Sequence, residues 1–314
     1  MSKLIIVHGN CMDGMGALWA AHILLGGVEG EYHFGFYGQP APDVAGKEVM
    51  IFDFSYPRET LLAMKSQALS LVVFDHHASA QSDLAGLDFC YFDQSKSGAV
   101  LAWEYLYRYA YNKDCPNIPK VLEYIQDRDL WKWELPFSRE FNEWLRHTVC
   151  LKGDPETALA VLTKTNNCIE WHAEATLEQF NKRVAEGAFL LTEKQKAIDA
   201  VVARHFFVTI SLADVPLGDV VQEYKVPVVF CPHTIASEVG HALAELSEHK
   251  VGLSIENPHE ERFGLSFRGV GNNLAKRMAT RYGGGGHDQA AGASLNSWQL
   301  AALISTMTPR KVTP

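Results

Sequence analysis

Basic residues are scarce in this chain: Lys and Arg number 28 against 37 Asp and Glu, a formal net charge of −9. Gripping long duplex DNA rewards a basic face, so no long duplex DNA partner is expected. Cysteine is sparse and unpatterned, with six residues at positions 11, 90, 115, 150, 168 and 231 and no CxxC pair. That argues against a disulfide framework or a zinc ribbon and fits reduced thiols in a cytoplasmic protein. Long hydrophobic runs are also missing. The first apolar run, residues 4–7, is four residues long and stops at His8, which is too short for the core of a signal peptide. The longest weakly polar stretch, residues 16–28, holds His22 and three glycines, so no membrane partner is expected.

Enough apolar residues remain to build cores, 47% of the 314 residues, and the length suits two domains better than one. The first third repeats a pattern of short apolar run, acidic or histidine cluster, and helix-like stretch. Residues 4–7 (LIIV) lead to His8 and Asp13, residues 49–52 (VMIF) to Asp53, and residues 71–74 (LVVF) to Asp75, His76 and His77. Short runs without polar alternation read as strands buried on both faces, as in a parallel sheet. Helices are expected over residues 14–25 and 57–66, so the fold class is α/β, built from βαβ units. Ligands of open α/β sheets bind beyond the carboxyl ends of the strands, where all three clusters fall.

Further along, residues 97–111 predict a helix capped by Ser97, and residues 118–133 another that carries Asp127 and Asp129. Residues 154–202 have helical periodicity with few breakers. They read as one or two long connecting helices, with Asp154 as cap and Pro155 in the first turn. The last third changes character. Residues 205–212, 226–230, 250–255 and 262–267 read as strands, and residues 234–246 and 272–282 as helices, which suggests a smaller mixed-sheet domain. The expected division is residues 1–150 as a metal-binding domain, 151–204 as a helical connector and 205–314 as a substrate-binding domain.

Asp75-His76-His77 at a strand end can bind a divalent cation, with Asp75 able to bridge two ions. The plain alternative is a capping Asp beside two surface histidines. His8, Asp13 and Asp53 at neighbouring strand ends weigh against it, because carboxylates gathered on one rim repel unless cations hold them. Asp13 also reads as a helix cap, which is compatible with ligation. Asp127 is a candidate ligand in a run that by itself reads as a solvated helix end, with Arg128 beside it to offset charge. The four consecutive glycines 283–286 before His287 exceed what a helix C-cap needs. The N–H groups of Gly284, Gly285 and Gly286 can approach an anion, with His287 donating to it and Arg268 as a phosphate fork. A tight packing turn and a plain exposed arginine are the alternatives. Trp131 and Trp133 read as core or interface aromatics, and Cys11 as a small packed thiol.

Taken in order, Asp53, Asp75-His76-His77, Asp127, Ser266-Phe267-Arg268 and GGGGHDQAAGA resemble the motifs of the DHH phosphoesterase superfamily with a DHHA1-type C-terminal domain, as in RecJ-like exonucleases and nanoRNases. The resemblance covers residues near 1–135 and 205–295. It implies two Mn2+ ions, with Mg2+ or another divalent cation as the alternative, held by His8, Asp13, Asp53, Asp75, His76 and Asp127. Asp75, His76 and His77 would be catalytic, and Arg268, Gly284, Gly285, Gly286 and His287 would bind substrate. Many members carry two Asp separated by one residue in the first motif. Here Asn10, Cys11 or Met12 stands in place of one of them, which would alter the preference of one metal site. The implied activity is a phosphodiesterase that hydrolyses short single-stranded oligonucleotides or linear dinucleotides by metal-activated water. A phosphoanhydride hydrolase and a nucleotide-binding sensor are the alternatives. The role of the helical connector stays open between closing the cleft, extending it and forming a homodimer contact.

Overall fold

The computed structural model describes residues 2–26, 31–149, 155–169, 174–213, 221–259 and 262–308. The chain divides into two compact units, Met1–Thr192 and Glu193–Pro314.

In the first unit, β1 (Lys3–His8), β3 (Glu48–Phe52) and β4 (Ser70–Asp75) form the centre of a parallel sheet. The edges are β2 (Glu31–Gly35) beside β1 and β5 (Cys90–Phe92) beside β4. The three central strands are those the apolar runs predict. Successive side chains of a strand alternate faces, and here both faces are dry. Ile5, Val7, Met50 and Phe52 enter one core, while Leu4, Ile6, Val49, Ile51, Leu71 and Val73 enter the other. That is why these strands read as unbroken apolar runs. The edge strands were not legible. β2 has the sequence EYHFG with an exposed start, and β5 is three residues long.

The first core is closed by α1 (Met12–Leu24), α4 (Gly98–Tyr111), α5 (Lys120–Asp129), α6 (Ser138–Thr148) and α7 (Pro155–Ile169). The second is closed by α2 (Arg58–Gln67) through Leu61 and Met64. α1 is apolar nearly all round because it is enclosed by the sheet, α4 and α7. A short α3 (Ala78–Asp83) follows the Asp75 cluster and exposes a polar surface.

Two expectations are corrected here. The helix expected over 118–133 stops at Asp129, after which Trp131 and Trp133 take left-handed conformations with φ of 56° and 59°. The cause is Asp127. Its carboxylate accepts hydrogen bonds from the backbone N–H of Glu134 (2.9 Å) and Leu135 (3.4 Å) and draws the chain back over the helix end. Ser97 occupies the N-cap position of α4, but its side chain makes no capping bond, and Asp13 takes that role.

The stretch expected as a connector holds α7, which packs into the first core, and α8 (Glu174–Val202), within which the boundary between the compact units falls. Asp154, the expected cap of α7, and Cys150 lie outside the described residues. In the second unit six strands run in the order β10-β11-β9-β8-β7-β6. They are β6 (Phe206–Ala213), β7 (Val221–Phe230), β8 (Val251–His259), β9 (Arg262–Gly269), β10 (Gly285–His287) and β11 (Ala290–Asn296). β7 and β8 are parallel and the other pairs antiparallel, so this is the expected mixed sheet. α10 (Leu274–Arg281) and α11 (Ser297–Ile304) pack on one face. α9 (Ala236–Leu246) packs on the other, where Ile198 of α8 also sits. α11 opens with a reciprocal cap between Asn296 and Gln299. Among the described residues no helix is long and apolar enough to cross a membrane.

Ile51 is fully buried in the central strand, β3. Ile51→Ala is expected to cost about 2–5 kcal/mol, the transfer and cavity terms together. The loss is read as a lowered denaturation midpoint in a urea titration.

Candidate metal centre

The parallel sheet delivers its strand ends side by side. His8 ends β1, Asp53 follows β3, and Asp75 ends β4 with His76 and His77 next in the chain. Asp13 lies in the first turn of α1, and Asp129 closes α5. Asp13 and Asp53 are 1% exposed, Asp75 0% and His76 2%, so these groups are withdrawn from water.

Each acidic group is placed by a specific local feature. Asp13 lies against the N-terminus of α4, where it accepts from the N–H of Gly98 (2.5 Å) and of Ala99 (3.1 Å). An anion is favoured at that end of a helix. Gly14 permits this turn, since a Cβ there would meet the carbonyl oxygen of His8 at 2.2 Å. Asp53 has a φ of 58°, a left-handed conformation that Asp tolerates better than most residues. Gly98 packs on it so closely that a Cβ would lie 2.3 Å from the Asp53 Cβ.

Asp75 is held by donors on both oxygens. Oδ2 accepts from the Ser55 hydroxyl (2.6 Å), and Oδ1 accepts from the His76 N–H (2.7 Å) and from His77 Nδ1 (2.6 Å). Asp75 therefore orients the two histidines that follow it.

His76 Nε2 stands among three carboxylates, 3.2 Å from Asp53 Oδ1, 3.6 Å from Asp129 Oδ2 and 3.9 Å from Asp13 Oδ2. Burial alone would lower its pKa, but the bond to Asp53 and the charges of Asp129 and Asp13 push it up to about 11. The carboxylates around it thus favour the charged form of this ring. Burial opposes ionisation of Asp53 as well, yet His76 and His8 hold its carboxyl below the usual range. Asp13 is pushed well above that range by burial, then by Asp53 and Asp129. Asp129 is raised by burial against the pull of His76. Burial lowers and Asp75 raises His77, with a net upward shift.

Three sets of side chains place ligand atoms within 4.8 Å of one another in this unit. They are His8, Cys11 and Asp53; Asp13, His76 and Asp129; and Asp53, Asp75, His76 and His77. Asp53 joins the first and third sets, whereas Asp75 belongs to the third alone. Asp53 Oδ2 and Asp129 Oδ2 are buried and accept no hydrogen bond. Carboxylate and imidazole donors with open buried oxygens fit divalent cations of the Mn2+ or Mg2+ class.

Of the residues the sequence singled out, the fold brings His8, Asp13, Asp53, Asp75, His76 and His77 together. Asp127 stays apart, with its carboxylate spent on the turn after α5, and Asp129 takes the place beside His76. Both acids were visible in the Asp127-Arg128-Asp129 run. What separates them is the hydrogen-bonded turn, which no spacing rule reveals. Of the residues at the altered first motif, Asn10 is exposed and Met12 lies in the first core. Cys11 is half-buried, occupies the N-cap position of α1 without a side-chain capping bond, and lies beside His8 and Asp53. Sequence reasoning missed Tyr37. It is 59% exposed after edge strand β2, with its ring 5.0 Å from Phe54 and 5.4 Å from His8. Trp131 and Trp133 form a half-buried edge-to-face pair at 5.0 Å, with the Arg139 guanidinium 4.5 Å over Trp133.

In the second unit, strand register sets Arg268 and His287 on either side of Ala290 in one row. Arg268 donates to the Ser237 hydroxyl (2.7 Å) and to the Phe267 carbonyl (2.9 Å). The glycine run divides its work. Gly283, with φ of 75°, terminates α10 through bonds of Gly283 and Gly284 back to Thr280 and Ala279. Gly284 and Gly286 pack on β11, where a Cβ would meet the Gly292 oxygen at 1.9 Å and the Ala290 oxygen at 2.6 Å.

No family model matches the chain. It is similar to an uncharacterised protein of Acanthamoeba polyphaga mimivirus, 32% identical over an alignment of 155 positions that covers 44% of this chain and 35% of that protein. The match thus spans about a third of the relative's length. Among solved structures it is similar to the pGpG-specific phosphodiesterase PggH from Vibrio cholerae, with 12% identity, a TM-score of 0.47 and 97% of each chain covered. It is also similar to RecJ in complex with Mn2+ from Thermus thermophilus, with 15% identity and a TM-score of 0.49 over 97% of this chain and 51% of that one. In the order of its motifs along the chain, this protein resembles the DHH phosphoesterases.

Proposed function

We propose that the chain is a metal-dependent phosphodiesterase that hydrolyses short single-stranded oligonucleotides or linear dinucleotides to mononucleotides. The observation that carries this reading is the gathering of buried Asp13 and Asp53 and half-buried Asp129 around His76, with Asp53 Oδ2 and Asp129 Oδ2 lacking any donor. Such a gathering costs folding free energy unless cations neutralise it. Asp13, Asp53, His76 and Asp129 would hold one divalent ion, and His8 with Asp53 a second. Bound there, the ions supply Lewis acidity, which screens the charge of a phosphoryl group and makes water more acidic.

The chain's own groups do the rest. Asp75 fixes the His77 ring through Nδ1, and His77 would deliver a proton to the departing oxygen. Tyr37, with Phe54 behind it, offers an exposed ring on which a base can stack. In the second unit, Arg268 and His287, with the N–H groups of Gly285 and Gly286, take the terminal phosphate, while the Gly284 N–H is already given to the Ala279 carbonyl. The net charge of −9 favours a short substrate, because a long strand would need an extended basic track.

With Mn2+ present, a 5′-phosphorylated dinucleotide such as pGpG or pApA is expected to yield mononucleotides, and Asp75→Ala to abolish the yield. Hydrolysis of pyrophosphate with no dinucleotide turnover would overturn the phosphodiester assignment. Asp129→Asn is expected to lower turnover about 100-fold or more, the scale on which metal-site groups act. Asp127→Asn should instead lower thermal stability with turnover largely kept, since it loses a turn rather than a ligand. The reverse ranking of the two variants would exchange their roles. For His287→Ala, KM is expected to rise with kcat retained, and an unchanged KM would remove His287 from substrate binding.

A further inference from the structure

Cys11 is the one group in the cluster whose chemistry differs from the rest. It sits in the turn between β1 and α1, and its sulfur, a His8 ring nitrogen and an Asp53 oxygen lie within 4.8 Å of one another. Asp53 supplies the independent pointer to a ligand, being 1% exposed with an Oδ2 that accepts no hydrogen bond. His8 Nδ1, at 3.7 Å from that oxygen, is too distant to satisfy it. Of the other positions of the motif, Asn10 is exposed and Met12 is buried in the core, whereas Cys11 is half-buried beside His8 and Asp53.

Resting on the two-ion reading proposed above, we infer that Cys11 is a metal ligand, so that His8, Cys11 and Asp53 select a thiophilic divalent cation of the Zn2+ or Co2+ class. The neighbouring group of Asp13, Asp53, His76 and Asp129 offers oxygen and imidazole donors alone and keeps a preference for Mn2+ or Mg2+. The thiol gives up its proton as the ion binds, and the sulfur lone pair forms the new bond. Thiolate, imidazole and carboxylate form the mixed donor set that borderline ions accept, whereas Mg2+ prefers oxygen throughout. The two positions are therefore chemically unequal, with Asp53 shared between them. The native pair of ions is a mixed one.

Cobalt titration of the full chain tests this without reference to turnover. Co2+ is added to the metal-free protein while bound metal is counted and the near-ultraviolet thiolate-to-cobalt charge-transfer band is recorded. Two ions per chain are expected, with the band developing on one of them. Cys11→Ser should abolish the band and weaken one site by roughly 10–100-fold or more, with the other unchanged. Cys11→Asp should abolish the band, keep two sites and shift the altered one toward Mn2+. Two bound ions without a band, or a band that survives in Cys11→Ser, would overturn the thiolate assignment and leave the phosphoesterase reading standing. Failure to bind any Co2+ or Mn2+ would overturn both.

Discussion

Everything at the head of the first sheet is arranged around the burial of several carboxylates within a few ångströms of one imidazole. Like charges in a water-poor place repel strongly, and the chain meets that cost in distinct ways. Asp13 is tied to the N-terminus of α4 by backbone donors. Asp75 is saturated by Ser55, His76 and His77. Asp53 lies beside the rings of His76 and His8, Asp129 feels the charges of His76, His77 and Arg128, and each keeps an oxygen open. The division is chemical. Asp13 and Asp75 have donors on both oxygens, whereas Asp53 and Asp129 each keep one buried oxygen without a hydrogen bond.

A parallel sheet makes this concentration achievable. Adjacent strands in parallel register end together, so residues far apart in sequence arrive at one edge with their side chains converging. The dry cores on both faces make that edge rigid. α1 is enclosed so completely that its first turn can move little, and with it Asp13 and the neighbouring Cys11. Gly98, lying against Asp53, shows how little room is left between helix and strand. A site assembled from three strand ends and two helix ends tolerates small displacements poorly, because each group is positioned by packing that it shares with the next.

The second unit solves a different problem. Its antiparallel strands place Arg268 and His287 in one row, and its glycines are needed where β10 meets β11. Four glycines in sequence invited an explanation from ligand binding. Helix termination at Gly283 and contact without a Cβ at Gly284 and Gly286 account for much of the run by backbone geometry. The same backbone can serve both ends, since a segment stripped of side chains leaves its N–H groups accessible to an anion.

The sequence alone determined the α/β class, the three central strands and the convergence of His8, Asp13, Asp53, Asp75, His76 and His77 on one edge. It could do so because strands buried on both faces leave uninterrupted apolar runs, and because a strand end fixes where the next residue must go. It also carried the contrast between a parallel first sheet and a mixed second one. Edge strand β2 escaped it, since half its residues face water and imitate a loop. Only the tertiary structure placed Asp129 rather than Asp127 beside His76, Asp13 rather than Ser97 as the cap of α4, and the Cys11 sulfur beside His8 and Asp53. Each of those choices depends on a hydrogen bond or a burial contributed by a distant segment. Residues a position or two apart on a helix or turn look alike in sequence, and only the chain folded over them tells one from the other.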